Sequence, residues 1–376
     1  MFRCNAEHTG YYPSKGPRLE PKIKWRFAAR DKIRSSPVVQ EGVVYAGSHD
    51  HHLYAIDAET GQQKWAFETK GPIVSTPAVT REWVYVYSGD GALYAIRSSD
   101  GGLQWTFQTE GTDPPRDPVD YWQSSPTLYE GVLYFGAGDS TFYAVDAQSG
   151  QLKWKKRLTF HGYAHDHISP FLHATPAVRQ GVVYAGLQGY DVEHQCEPGN
   201  VVALDAQTGE QRWISPLLQA VDSAIVADEQ ALYVGMRSYG LAALHIQGGE
   251  PIWKCDRLQY LMSTPALHEG TLYSGSSDDH LLLAVAAETG QVKWSLDTIG
   301  PVHASPAMDG ETVYAACGNH YSEENKGIVF AVDAGSGEKL WEYQTGDNVY
   351  ASPAVEDGVL YIGSDDGYLY ALTESK

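Results

Sequence analysis

Short apolar runs alternate with polar turns along the whole chain, and no run is long enough for a helix. Val43-Val-Tyr-Ala-Gly47 is followed by a polar turn and then by Leu53-Tyr-Ala-Ile56, and the same alternation resumes after each Gly- or Asp-containing turn. The three-to-four-residue periodicity of an amphipathic helix is missing. Val, Tyr, Ile and Trp dominate the apolar positions, which predicts short strands throughout and an all-β fold.

The alternation repeats as a unit. Ala55-Ile-Asp-Ala-Glu-Thr-Gly-Gln-Gln-Lys-Trp65 returns with its Ala, Asp, Thr/Ser-Gly and Trp at Ala144–Trp154, Ala203–Trp213 and Ala331–Trp341; Ala284–Trp294 keeps all but the acid. Each unit reads Ser/Thr-Pro, short strand, turn, Val/Leu-Tyr strand, turn, Leu-Tyr-Ala strand, Thr-Gly, Trp strand. Four such strands make one propeller blade, lettered A to D from the axis outward. Units start at Pro37, Pro77, Pro126, Pro176, Ile225, Pro265, Pro306 and Pro353. The Trp positions are 25, 65, 105, 154, 213, 253, 294 and 341. Eight starts and eight Trp residues predict an eight-bladed β-propeller of four-stranded blades.

Trp25 precedes the first start, and the last unit has no Trp of its own. The expected closure therefore has residues 22–28 supply the outer strand of the C-terminal blade, which removes the open edges of a linear array. Residues 1–21 are expected to form an N-terminal arm on the ring, and 22–376 a single domain.

The Ala-x-Asp-x-x-Thr-Gly-x-x-x-Trp phrase resembles the tryptophan-docking repeat of pyrroloquinoline quinone (PQQ) type propellers. That family includes quinoprotein alcohol dehydrogenases and a cofactor-free propeller lipoprotein of the outer-membrane β-barrel assembly machinery. The resemblance spans nearly the whole chain, and the opening Phe2-Arg3…His8-Thr9-Gly10-Tyr11 is similar to the entry segment of bacterial members. It implies that each Trp docks on the neighbouring blade. It leaves function open, because one fold hosts many functions.

Composition narrows the classes. A formal charge of −20 argues against a nucleic-acid partner, whose phosphates need a basic surface. Cys4, Cys196, Cys255 and Cys317 are single and far apart, with no disulfide, zinc or haem spacing. There is no apolar run long enough to span a membrane. The start shows no signal architecture, so the expected compartment is the periplasm or cell envelope if an export signal was removed, and otherwise the cytoplasm. A monomer is expected.

Used as a ruler, the repeat shows where the copies differ. Trp to the next start is 12 residues in six copies, but 21 for Trp105 to Pro126 and 22 for Trp154 to Pro176. The second-strand Tyr to Trp distance is 20 or 21 except for 29 at Tyr184–Trp213 and 27 at Tyr314–Trp341. All the sizeable insertions thus fall in D–A linkers or B–C loops. These emerge on one face of the ring, because successive strands are antiparallel. Loops on a rigid scaffold are where function usually sits.

Two sets of candidates follow. Three residues before each start, the copies read Arg34, Val74, Gln123, His173, Asp222, Met262, His303 and Tyr350. This varied ring stands beside small Ser, Thr and Ala positions, a pattern suited to an axial funnel. Tyr121, Trp122 and His320, from the insertions, join it as candidate binding residues. The second set is His161, His165, His167, His173 and His194, whose imidazoles would hold a divalent metal if they converge on the fourth blade.

PQQ is not the expected cofactor. The chain is shorter than the quinoprotein dehydrogenases, lacks the adjacent Cys pair many of them carry, and offers no matching Glu, Asn and Asp calcium ligands. The reading is a binding or scaffold propeller that holds a protein or small-molecule ligand at its insertion-rich face. The alternative is an enzyme with its site in the axial funnel on that face, either His-lined and metal-dependent or a PQQ/calcium oxidoreductase.

Overall fold

The computed structural model describes residues 3–110, 124–164, 168–216, 218–238, 240–318 and 326–375. Eight antiparallel sheets succeed one another in sequence order, and the described residues contain no helix. Seven sheets are built from consecutive strands. The eighth takes its outer strand, Pro21–Ala28, from the other end of the chain, paired with Tyr368–Glu374 in a ladder from Pro21↔Glu374 to Ala28↔Tyr368. The predicted closure is therefore present.

The inner strand of every blade begins one residue after the Ser/Thr-Pro position, at Val38 on blade 1 and Ala354 on blade 8. Proline has no N–H to give a ladder, so it stands just before the pairing starts. The core lies between blades. Eight apolar clusters alternate around the ring, each joining the facing sides of two neighbouring sheets, as Tyr45, Leu53 and Trp65 of blade 1 pack on Val84, Val86 and Ile96 of blade 2.

The repeated phrase is the rivet between blades. Asp57 Oδ1 accepts from the Thr60 amide and hydroxyl, both at 2.9 Å, and so fixes the corner. Gly61 follows at φ 71°, where a Cβ would come within 2.7 Å of the preceding blade's Trp25 ring. The Trp25 indole N–H then donates to the Ala58 carbonyl at 2.9 Å. Equivalent bonds run from Trp65, Trp105, Trp154, Trp253 and Trp294 to the next blade. Blade 8 has no Thr-Gly corner, and there Trp341 donates to the Pro17 carbonyl instead, at 2.8 Å.

Pro17 belongs to the segment that leads into the closing strand. Carbonyls of Ala6, Glu7, Thr9 and Gly10 accept from Val178, Ala227, Leu267 and Met308, on the inner strands of blades 4, 5, 6 and 7 in turn. Lys15 then accepts from Gly358 of blade 8. His8, only 1% exposed, places Nδ1 3.1 Å from the Ile225 carbonyl of blade 5 and Nε2 3.2 Å from the Thr127 hydroxyl of blade 3. The segment thus lies across the axis at the end away from the insertions.

The insertions in blades 4 and 7 lengthen the B–C hairpins. Val182–Gln188 pairs with Pro198–Asp205, and Thr312–Gly318 with Gly327–Asp333, so both ladders reach past their neighbours on one face. On blade 4 the short strand Leu218–Gln219 adds a fifth member beside Pro198 and Gly199.

Candidate functional site: the axial cavity

A funnel whose enclosed part holds about 60 Å³ opens on the axis at the D–A/B–C face. Its floor is the residue immediately before each unit start, and all eight contribute: Ser36, Thr76, Ser125 and Thr175, then Ala224, Thr264, Ser305 and Ser352. They form a hydrogen-bonded belt. The backbone N–H of one blade donates to the hydroxyl of the next in six places among the described residues, at 2.9 to 3.1 Å. Blade 5 departs from the pattern twice. Ala224 has no hydroxyl, and Ile225 has an N–H that proline lacks; that N–H reaches the Thr175 carbonyl at 3.4 Å, so one substitution restores a contact the other removes.

Above the floor stand the residues three before each start. Arg34, Val74, His173, Asp222, Met262 and Tyr350 line the cavity together. His303 stacks on Tyr350, with centroids 5.2 Å apart and planes 7° from parallel. Gln123, Tyr121, Trp122 and His320 lie outside the described residues.

The charged members are held rigidly. Arg34 forms a two-point pair with Asp365, Nε to Oδ1 at 2.8 Å and Nη2 to Oδ2 at 2.6 Å, and lies 4.5 Å over the Tyr350 ring. Lys32 Nζ is 3.5 Å from the same carboxylate. Asp222 accepts from Arg237 Nε at 2.6 Å, and Arg237 also reaches Glu197 at 3.3 Å and covers Tyr260 at 5.0 Å. Burial works against the Arg237 cation, but Asp222, Tyr260 and Glu197 outweigh it and raise its pKa above the ordinary arginine value. His49 shifts the other way: burial, then Arg34, lowers its pKa and favours the neutral ring.

Asp365, Arg237 and His49 escape the sequence reading, although one signal marks them. Each stands four residues after the second-strand Tyr of its blade, where blades 2 and 3 carry Gly89 and Gly138. Asp365-Asp366-Gly367 looks like a plain turn, and Asp366 is one: it accepts from the Tyr368 amide and the Tyr370 hydroxyl. Asp365 faces the axis.

The candidate metal residues are dispersed where they are described. His173 lines the axial cavity and stacks on Phe171 at 5.5 Å. His161 is exposed, tied through its backbone to Asn200. His194 Nδ1 lies 3.0 Å from Asp191 Oδ2, an oxygen that also accepts from the Tyr163 hydroxyl at 2.5 Å. Cys196 Sγ is 3.1 Å from that hydroxyl. This cluster anchors the 189–197 loop. His165 and His167 lie outside the described residues, and among the described residues no three His, Cys, Asp or Glu side chains come together as metal ligands.

Among the described residues, the cavity's donor set does not fit the quinone and calcium of the PQQ enzymes. A calcium site needs several oxygens converging on one point. Asp222 and Asp365, the carboxylates described beside the axis, stand on well-separated blades, each committed to an arginine. Tyr350, the phenol ring among the described lining residues, already has Arg34 and His303 packed on it.

Comparison with known proteins agrees with the repeat. A family model described as "Outer membrane protein assembly factor BamB" matches residues 21–189, 116–227, 197–348 and 325–376. The chain belongs to this PQQ-repeat propeller family. The overlapping matches reflect the repeat, since the same pattern aligns from several starting blades. The assembly factor BamB of Alkalilimnicola ehrlichii is 30% identical over 154 residues, 38% of this chain and 35% of that relative. BamB of Escherichia coli K12 is 32% identical over 108 residues, 28% of this chain and 25% of its own length. These matches span about a third or less of the curated relatives.

Among solved structures, quinohemoprotein alcohol dehydrogenase from Comamonas testosteroni superposes with a TM-score of 0.79 at 14% identity, covering 100% of this chain and 80% of that one. BamB from Moraxella catarrhalis gives 0.52 at 17%, covering 94% and 88%. At such identities the likeness shows the fold alone.

Proposed function

We propose that the chain is a binding propeller that docks a protein partner on the face bearing the lengthened hairpins. The observation that carries this reading is the one-sided elaboration of an otherwise regular ring. The hairpins of blades 4 and 7 project on the side where the axial cavity opens, and the blade 4 loop presents Tyr190 and Val192 at 54% and 73% exposure. Large apolar side chains held at a loop tip cost solvation unless a partner covers them. The names of the relatives, outer membrane protein assembly factors, support a scaffold role and point to the cell envelope as the compartment.

Cross-linking in envelope extracts, followed by affinity capture, tests the reading. A partner captured by the wild-type chain should be lost in Tyr190→Asp and Val192→Asp and retained in Leu103→Asp, on an outer strand. A partner retained by all three variants would remove the hairpin face from consideration. Fractionation that leaves the protein in the cytoplasm would refute the envelope assignment.

A second reading, an enzyme working in the axial cavity, has the cavity itself in its favour. His173 would then be its acid or base, as the imidazole among the lining side chains. A His173→Gln variant that keeps its fold while losing turnover of a hydrolase or oxidoreductase substrate panel would establish it.

A further inference from the structure

The axial cavity has a charge axis and an apolar axis, and they cross. In an eight-membered ring, blades four apart face each other. Arg34 on blade 1 therefore faces Asp222 on blade 5, and Val74 on blade 2 faces Met262 on blade 6. Salt-bridge partners do not cancel the first pair. On the Arg34 side the salt-bridged groups are Arg34, its partner Asp365 from blade 8 and Lys32 on that carboxylate, two positive charges and one negative, which leaves +1. On the Asp222 side the salt-bridged groups are Asp222, its partner Arg237 and Glu197 from the blade 4 loop, two negative charges and one positive, which leaves −1. The floor between them is an uncharged belt whose hydroxyls are engaged with neighbouring amides.

We infer that this cavity takes a small zwitterion with an apolar middle, a free amino acid or short peptide, its carboxylate toward Arg34 and its ammonium toward Asp222. A lone anion would be attracted to one wall and repelled by the other, and a lone cation likewise; separated charges of opposite sign satisfy both. The funnel is open at its mouth, so the parts of the ligand that exceed its enclosed space would extend toward the hairpin face. Val74 and Met262 flank the charge axis, where a ligand's aliphatic side chains would lie; the sulfur and flexible stem of Met262 let that wall adapt to side chains of different shape. Both charged groups are fixed in advance by their partners, so ordering them adds little to the cost of binding. The inference rests on reading this face as a binding face.

Calorimetric titration of the full chain tests it with four probes: leucine, Leu-Leu, N-acetyl-Leu-Leu and Leu-Leu-amide. Leucine or Leu-Leu should bind, and blocking either end of the peptide should weaken binding roughly tenfold or more, the worth of one hydrogen bond to a charged group. Asp222→Asn should abolish the preference for the free amine, and Arg34→Gln the preference for the free carboxylate. If either replacement disturbs the fold, the blocked peptides on the wild-type chain still decide the matter. Blocked peptides binding as well as the free one, or heat from none of the four, would overturn the inference. Silent titrations beside hairpin-dependent partner capture would sink the zwitterion site alone, whereas zwitterion binding without such capture would sink the docking reading alone.

Discussion

Trp341 donates its indole N–H to the carbonyl of Pro17, 324 residues earlier in the chain, across 2.8 Å. For Trp25, Trp65, Trp105, Trp154, Trp253 and Trp294 the acceptor lies on the corner before the outer strand of the following blade. The leading segment therefore replaces the missing corner of blade 8. Deleting residues 3–18 while keeping Pro21–Ala28 should lower the melting temperature by several degrees, and deleting 1–28 should lower it further by stripping blade 8 of its outer strand. Trp341→Phe should cost about 1 kcal/mol, the net worth of one hydrogen bond, and lose that penalty in the 3–18 deletion. Scanning calorimetry of the wild type, the two deletions, Trp341→Phe and its combination with the 3–18 deletion checks this.

The Arg34–Asp365 pair makes a stronger claim. Both side chains are under a tenth exposed, at 7% and 3%, so solvent screens them little. Removing one charge leaves the other buried, which costs about 3–5 kcal/mol for such pairs, whereas replacing both by apolar groups is often far milder. Asp365→Asn should destabilise strongly, and Arg34→Met/Asp365→Leu clearly less than the sum of the two single changes. Urea unfolding of the double-mutant cycle gives the coupling.

Blade 5 offers the opposite sign. Ala224 lines the cavity floor with space above it and lacks the hydroxyl that Thr264, Ser305 and Ser352 supply on the following blades. Ala224→Ser adds an acceptor at the junction with Thr175 and should stabilise the protein by about 0.5–1.5 kcal/mol. An unchanged or lower midpoint in chemical denaturation would mean that the belt does not continue through this junction.

His8 predicts a pH dependence. Burial first, and then the nearby Arg3 charge, lower its pKa to about 3, against the raising effect of the Ile225 carbonyl. The unfolded chain takes up a proton on this ring below about 6.5, while the folded chain does not until about 3. Between those values the unfolded state binds the extra proton, so stability falls as the pH drops, by up to about 1.4 kcal/mol per pH unit. His8→Gln should flatten this slope in pH-resolved unfolding. A separate loss sets in at lower pH. Arg212 and the Thr208 amide depress Asp205 to about 2, and the Ser336 amide and Arg18 do the same for Asp333. The stability these carboxylates contribute is present above their unfolded value near 4 and disappears as the pH falls through about 2.

The ring, its blade count and its closure were legible because the repeat fixes a length, and every departure from that length shows. The cavity register was legible for the same reason, since Arg34 and Asp222 occupy equivalent positions in different copies. Their partners were hidden. Asp365 stands in a sequence that any tight turn could use, and Arg237 precedes a Ser-Tyr-Gly turn that looks equally ordinary. The described fourth-blade histidines stand further apart than their spacing in the chain implies. Nearness in sequence suggested convergence, but His173 sits at a linker's end on the axis, whereas His194 is held at a loop by Asp191. The path of the leading segment had no periodic signal at all, because its backbone, more than its side chains, makes the contacts.

The closing ladder also decides how the ring responds to force. Pro21 and Glu374 form the first pair of that ladder, so both chain ends leave it at the same edge. A pull on the two ends would load the pairs one after another, as in opening a zipper, rather than shearing all of them at once. From the amino end, however, tension must first peel the leading segment off five blades in succession, from the side opposite the cavity. Traction on that end is thus taken up by a series of single hydrogen bonds before it reaches the seam, and the first blade it would disturb is the one that carries Asp365, the anchor of the positive wall.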